Sequence, residues 1–292
     1  SSYGGLFSNI NSSNIKGMYF SSGGFSCKYG NALSGVLDLQ TKDEPNVKSI
    51  TLGISMASIE FDAENNIIPD KLGVRINGRK SYTAPIFWFN GGKKDFELAP
   101  QSQDISGSIS YKFSSTGRIK SFLAYSDDKQ GVKVNQPGYI DIFNGKSYNI
   151  LGNLQISEFL SNNLFSKNSF SFSKFSSTWK LGILDLKRDD FTFKFRTDNE
   201  YTWGNNKFLF GYEVERREFQ YLGIIPKEDY DFRNDAESEI LNAKYNNTRH
   251  GAYIENEFSD FFGIDNLHLI GGLRFDYIPA LNISWLDPRL NL

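Results

Sequence analysis

The sequence predicts an all-β protein, a transmembrane antiparallel up-and-down β-barrel. Three observations carry that prediction: long stretches in which polar and apolar residues alternate, connections that alternate between short and long, and strands longer than soluble sheets use.

The alternation is clearest from about residue 104 onward. Over residues 104–113, Ile105, Gly107, Ile109, Tyr111 and Phe113 alternate with Asp104, Ser106, Ser108, Ser110 and Lys112. Over residues 190–203, Phe191, Phe193, Phe195, Tyr201 and Trp203 hold odd positions, interrupted by Thr197 and Asn199, and every even position is polar. A period of two over such lengths is a strand with one apolar face. Strands are expected over 47–56, 57–64, 71–81, 104–113, 118–126, 148–160, 164–175, 189–203, 207–219, 249–259 and 267–278, with a twelfth from near Ser284. Many exceed the ~5–6 residues of an average soluble strand and reach the ~9–11 that a tilted strand needs to cross a bilayer.

Turn chemistry sorts the links. Those at 114–117, 161–163, 204–206 and 263–266 are short and rich in Gly, Asn and Ser, and read as tight hairpins. Between them the stretches 82–103, 127–147, 176–189 and 220–248 are polar and read as long loops. An up-and-down sheet has this alternation when short turns lie at one rim and long loops at the other. Tyr201 and Trp203 just before a turn, with Phe208 just after it, fit an aromatic girdle. Period two then points Phe191, Phe193, Phe195, Phe208, Phe210 and Tyr212 to lipid. It points Glu213, Glu215, Arg217, Glu255, Glu257 and Arg274 to the lumen.

Composition excludes several classes. The formal charge of −2 gives no reason to expect a nucleic-acid partner. No run of 18 apolar residues would make a transmembrane helix, a result that leaves a β-barrel untouched. One cysteine, Cys27, and two histidines, His250 and His268, supply neither an internal disulfide nor a usual metal spacing, so no metal or cofactor is expected. The pairs Asp127-Asp128 and Asp189-Asp190 read as solvated charges at strand–loop junctions rather than catalytic carboxylates. Gly91-Gly92-Lys93-Lys94 lacks the upstream glycine of a phosphate loop, and no Gly-x-Ser-x-Gly elbow occurs, so an enzyme is not expected.

Residues 17–43 depart from the barrel pattern. They contain Gly23-Gly24-Phe25, then Tyr29-Gly30, a small-residue turn over 31–35, Val36-Leu37-Asp38-Leu39 and Thr41-Lys42. This string resembles the end of the plug domain of TonB-dependent outer-membrane receptors. The stretch 72–82, the segments 252–258 and 269–277, and Pro288-Arg289-Leu290 are similar to the family's barrel strands. Cys27 stands where a small residue is usual and reads as a small buried hydrophobe.

The resemblance implies the C-terminal part of a plug over 1–44 and the N-terminal half of a barrel over 45–292. That makes about 11–12 of 22 strands, in a fragment cut at both ends. It further implies a receptor in the outer membrane of a Gram-negative bacterium. Such a receptor takes up an iron chelate, cobalamin or glycan by energised plug movement. Its partners would be the TonB complex (through an N-terminal region outside this chain), outer-membrane lipid, and a small nutrient or a substrate-binding lipoprotein. Phe87, Trp88 and Phe89 beside Lys93 and Lys94 are the candidate ligand contacts, since aromatics with cations suit anionic chelates or sugars. The alternative there is a loop packed on its own side chains. Glu213/Glu215 and Glu255/Glu257 suit either plug arginines or a cation, and the residues do not choose. Other readings of the whole chain are a passive porin or lipid-transporting barrel and a soluble β-rich surface adhesin.

Overall fold

A computed structural model describes residues 14–30, 35–43, 45, 47–136, 139–259 and 267–291. Two sheets make up the fold. The small one pairs β1 (Ile15–Ser21) with β2 (Val36–Thr41). The large one has twelve strands: β3 (Ser49–Ile54), β4 (Ser58–Ile68), β5 (Leu72–Tyr82), β6 (Phe96–Lys112), β7 (Arg118–Gln136), β8 (Tyr139–Ser161), β9 (Leu164–Leu181), β10 (Leu184–Trp203), β11 (Asn206–Pro226), β12 (Ser238–Phe258), β13 (Leu269–Ile278) and β14 (Ile283–Asn291).

Each strand of the large sheet pairs antiparallel with its neighbours in sequence and no strand crosses over. The meander therefore sends the hairpin turns after β6, β8 and β10 to one rim, and the links after β5, β7, β9 and β11 to the other. The β6–β7 turn closes with Phe113 N–H donating to Gly117 O, and Gly204 supplies the positive φ of the β10–β11 turn. The turn expected at 263–266 lies outside the described residues. So does the link at 137–138.

The structure corrects three of the expected loops. Residues 127–136 and 139–147 are strand, as are 176–181, 184–189, 220–226 and 238–248, so β7–β12 run 18–23 residues. The physical reason is that a strand rising beyond the apolar band faces water on both sides. It keeps its ladder hydrogen bonds but loses the alternation by which a sequence shows it. In 82–103, a short helix α1 (Ala84–Phe89) and a turn of 3₁₀ helix (Gly92–Asp95) precede β6, which begins at Phe96.

Burial is inverted relative to a soluble domain. Ile76, Ile105, Leu123, Phe172, Phe193, Phe210, Ile254 and Leu273 are exposed, while Arg75, Asn77, Asp104, Glu213, Glu255, Arg274 and Asp276 are buried. Register explains how one sheet separates them, because residues directly opposite share a face. Phe210 faces Ile254, which faces Leu273 on the apolar side; Arg196 faces Glu213, and Tyr253 faces Arg274, on the polar side. The sheet is open, with β3 and β14 each paired on one edge among the described residues.

Candidate functional site

Among the described residues, hydrogen bonds and ion pairs join the polar face of the large sheet to the N-terminal segment at three places. The most heavily charged involves residues 25–29 against β11–β14. Arg274, 1% exposed along its side chain, chelates Asp276 through Nε (2.7 Å) and Nη2 (2.8 Å) and reaches Glu213 at 2.5 Å. Its remaining nitrogen, Nη1, donates to the carbonyl oxygens of Cys27 (3.3 Å) and Lys28 (3.4 Å). Glu255 accepts the Cys27 backbone N–H at 2.6 Å. Arg289, oriented by Asp287 at 2.6 Å, donates to Phe25 O (3.3 Å) and Ser26 O (2.8 Å). The irregular segment thus has its orphan carbonyls and an amide satisfied by charged side chains of the wall, which are strong donors and acceptors.

Glycines make the room. A Cβ at Gly30 or Gly251 would fall on the Arg274 guanidinium, and one at Gly272 would lie 2.7 Å from Cys27 Sγ and 2.8 Å from Ile254 O. Around this core, Glu213 also faces Lys194 (2.8 Å) and Arg249 (3.2 Å), and Tyr253 donates to Asp198 at 2.5 Å. The opposed charges offset one another's burial, as desolvated ions require.

The second contact is a closed set of buried side-chain bonds. Asn14 donates to Ser106 (2.9 Å), Ser106 to Asn77 (2.7 Å), and Asn77 back to Asn14 (2.6 Å). The third is Asp43, which gathers Lys16 (2.5 Å), Arg118 (3.1 Å) and Lys120 at the start of the link to β3.

Titration follows from these surroundings. Burial pushes the Cys27 thiol up to about 11, helped by the Glu255 charge, so it is a poor nucleophile. Burial lowers Lys28, and it raises Tyr29 together with the hydrogen bond from Tyr29 to Asp38 at 2.8 Å. Burial alone would raise Asp43, but hydrogen bonds from Lys120 and Lys16 hold it down, at about 2.

The sequence-predicted residues divide. Glu213, Glu255 and Arg274 converge on residues 25–29, and Glu215 joins through Lys194 and Arg249, each 3.7 Å away. Arg217 stands apart with Asp190 (2.5 Å), and Glu257 with His268 (3.3 Å). At residues 25–29 the guanidinium groups come from the large sheet, and the inner segment contributes backbone. Among the described residues no group of three acidic, His or Cys side chains has the geometry to hold a metal. In the β5–β6 link, Phe87 turns onto Phe96 (ring centroids 4.4 Å apart), whereas Trp88 and Phe89 stack at 5.2 Å and are 64% and 68% exposed. Lys93 and Lys94 lie in the adjoining 3₁₀ turn.

Sequence reasoning missed Asn14, Asp43, Asn77 and Arg249. Asp43, Asn77 and Arg289 each stand inside a stretch that resembles the receptor family, but nothing local marks the partners of Arg289, some 260 positions away.

An inverted, open, twelve-strand meander with an irregular segment on its polar face is the architecture of part of a transmembrane β-barrel. No family model matches the sequence, and no curated protein matches it. Solved structures do match. The copper transporter OprC has TM-score 0.68 at 14% identity, over 96% of this chain and 47% of that one. The siderophore receptor PiuA from Acinetobacter baumannii has 0.63 at 12%, over 95% and 50%. The ferric-catecholate import receptor Fiu from E. coli K12 has 0.66 at 13%, over 96% and 55%. The fold is that of TonB-dependent receptors, the class these structures represent. The chain spans about half the length of the structures it matches.

Proposed function

We propose that the chain is the end of the plug (1–44) and the first half of the barrel (45–292) of an energised nutrient receptor in the outer membrane of a Gram-negative bacterium. The observation that carries this reading is the clamp of Arg274, Arg289 and Glu255 on residues 25–29. A passive pore gains nothing from charges that hold a segment across its lumen wall, whereas a gated receptor needs its plug seated. The work is conformational. The TonB complex draws on the plug from an N-terminal region, and ligand binds among the links opposite the short turns. Trp88 and Phe89, exposed beside Lys93 and Lys94, suit an anionic chelate or a sugar face. Glu213, Glu215, Glu255 and Arg274 line the lumen and seat the plug, with Arg217 and Glu257 further along the same wall.

Energy dependence separates this from the alternatives. Cells carrying the complete polypeptide are given a ferric catecholate or a copper complex, the cargo classes named for the structural neighbours. Saturable uptake that stops when the proton-motive force is collapsed is expected for at least one such class. Uptake that rises linearly with concentration and ignores the uncoupler would make the protein a passive pore. Recovery of the protein in the soluble fraction would make it the surface adhesin.

A further inference from the structure

The upper part of β12 is an open strand edge. β11 pairs with it as far as Ser238, but β13 stops early, and above the pair His250 and Tyr277 no described residue pairs with β12 on that side. The 3₁₀ turn Pro279–Leu281 lies where β13 ends. The ladder decides which backbone groups face the opening. Lys227 N–H donates to Glu237 O (3.0 Å) and Ser259 N–H to Asn205 O (3.1 Å), at the two ends of a β11–β12 ladder without a bulge. Odd-numbered residues of β12 therefore bond to β11, and even-numbered ones turn their N–H and C=O to the other side. Above β13 these include Ile240, Asn242, Lys244 and Asn246, all exposed. At about 2.5 Å of climb per residue from Phe258 they stand about 30–45 Å up, above a ~25 Å apolar band. Other rising edges are covered. β6 climbs past the end of β5 at Tyr82, but Thr83 donates to Pro100 O through N–H (3.3 Å) and Oγ1 (2.6 Å), and Phe87 lies on Phe96. The β9–β10 turn is tied to its neighbours by Ile183 N–H to Phe232 O (3.1 Å) and Gly182 N–H to Asp141 (3.0 Å). Sheets protect exposed edges with proline, bulges or a covering segment, and among the described residues β12 has none of these from Ser238 to Thr248.

We propose that the edge from Ile240 to Asn246 receives an extended segment of a partner protein as an added antiparallel strand, with an acidic side chain opposite Lys244. The inference goes beyond nutrient uptake and rests on the barrel alone. The edge repeats a donor and an acceptor at every second residue, about 6.8 Å apart, which is the spacing another strand carries. Acyl chains offer no such groups and end below it. The one charge in the row is Lys244. A lysine on an edge deters strands in general and admits one that sets an acid opposite it. The acids beside Lys244 on this face, Glu218 of β11 and Asp189 of β10, are held by Arg216 and Lys187, each at 2.7 Å. On the other face, alternate side chains of the guest lie beside Ala243 and Tyr245, whose ring packs 5.3 Å from that of Phe219, so apolar residues suit those positions.

The probe is a synthetic peptide with blocked ends, Thr-Tyr-Thr-Val-Glu-Val-Thr-Tyr-Thr, added to the complete polypeptide in detergent micelles. Its central Glu comes opposite Lys244, and its Tyr and Val side chains fall beside Ala243 and Tyr245. Hydrogen exchange should find the amides of Asn242, Lys244 and Asn246 fast in the protein alone and slowed by the peptide. Fluorescence anisotropy of the labelled peptide should show saturable binding. Methylating the third, fifth and seventh nitrogens of the peptide should weaken it roughly a hundredfold, at about fivefold for each ladder hydrogen bond lost. Asn242→Pro/Asn246→Pro removes two donors that face the opening and none that face β11, so it should weaken binding roughly twentyfold and keep the heat-dependent gel shift of a folded barrel. Lys244→Glu should weaken binding as well. No binding, or equal binding by plain and methylated peptides, would overturn the proposal, and that comparison on the wild type needs no variant to fold. Amides already protected in the monomer would mean that the polypeptide covers its own edge, and protection that rises with protein concentration beside a dimer mass would assign the edge to a second copy; either overturns it too. Absence of the gel shift in the wild type would sink the barrel and the edge together.

Discussion

An arginine introduced on the outward face should cost an amount set by its depth, and register supplies the depth. At ~3.4 Å per residue and a tilt near 40°, a barrel strand climbs about 2.5 Å per residue along the membrane normal. Ile254 lies four residues from the short-turn end of β12 at Phe258, so about 10 Å in, near the middle of a ~25 Å apolar band. It is 55% exposed, between Phe210 and Leu273. Phe193 lies ten residues from the end of β10 at Trp203, about 25 Å up, at the far edge of the band. Its cross-strand neighbour is Arg216, ion-paired with Glu218 at 2.7 Å, which marks where water begins. Ile254→Arg should therefore destabilise the barrel by about 2–4 kcal/mol and Phe193→Arg by only about 0–1 kcal/mol. Guanidinium unfolding of the complete polypeptide from phospholipid vesicles, followed by tryptophan fluorescence and gel mobility, measures both. Equal costs, or a larger cost at Phe193, would refute the depth assignment.

Two further outcomes follow from the polar face and a third from the open edges. Because Asp43 is held at about 2, its contacts with Lys16 and Lys120 are complete above the unfolded carboxylate value near 4 and fade as the pH falls toward 2. That contribution is on the order of 1 kcal/mol after screening, and Asp43→Asn should remove the acid-dependent part of the unfolding midpoint over that window. Cys27, fully buried with its thiol pushed up to about 11, should resist maleimide in the folded protein. Gly272→Ala, which sets a methyl 2.7 Å from its Sγ, should strain the seat by roughly 1–3 kcal/mol and raise labelling about tenfold or more; an unchanged rate would mean the segment does not sit there. Residues 1–292 expressed alone should aggregate, since β3 and β14 offer open edges beside an apolar face. A detergent-free soluble monomer with a reversible melt would count against the whole membrane interpretation.

The parts of the fold that cross the apolar band were legible because lipid on one side and a polar lumen on the other impose a period of two. Ala252, Ile254 and Phe258 against Tyr253, Glu255 and Glu257 are that rule written out. Above the band the rule lapses. Residues 139–147 and 238–248 are strand, yet their polar composition reads as loop. Helix α1 escaped because Ile86, Phe87, Trp88 and Phe89 are four apolar residues in succession, which carry no helical period. At the site, the facing of Glu213, Glu255 and Arg274 came from alternation alone. Their convergence on Cys27 and Lys28 did not, since it depends on chain separations of more than 200 residues and on glycines whose role is to leave space.

The uninterrupted pairing of β10, β11 and β12 also restricts how this chain can change length over generations. Nineteen pairs join β10 to β11 without a bulge, and β11 to β12 is equally regular. One inserted residue there would turn Glu213 or Arg249 to the apolar face and an aromatic toward residues 25–29, so viable insertions come in twos or fall at the tips. The β4–β5 and β6–β7 pairings are different. Register shifts at Asn66/Ile68 and between Phe96 and Gln101 already absorb single residues. Length drift in related chains should accordingly show odd steps near β4 and β6 and even steps through β10–β12, so that the rigid quarter of the wall keeps its hold on residues 25–29 while the bulged quarter diversifies.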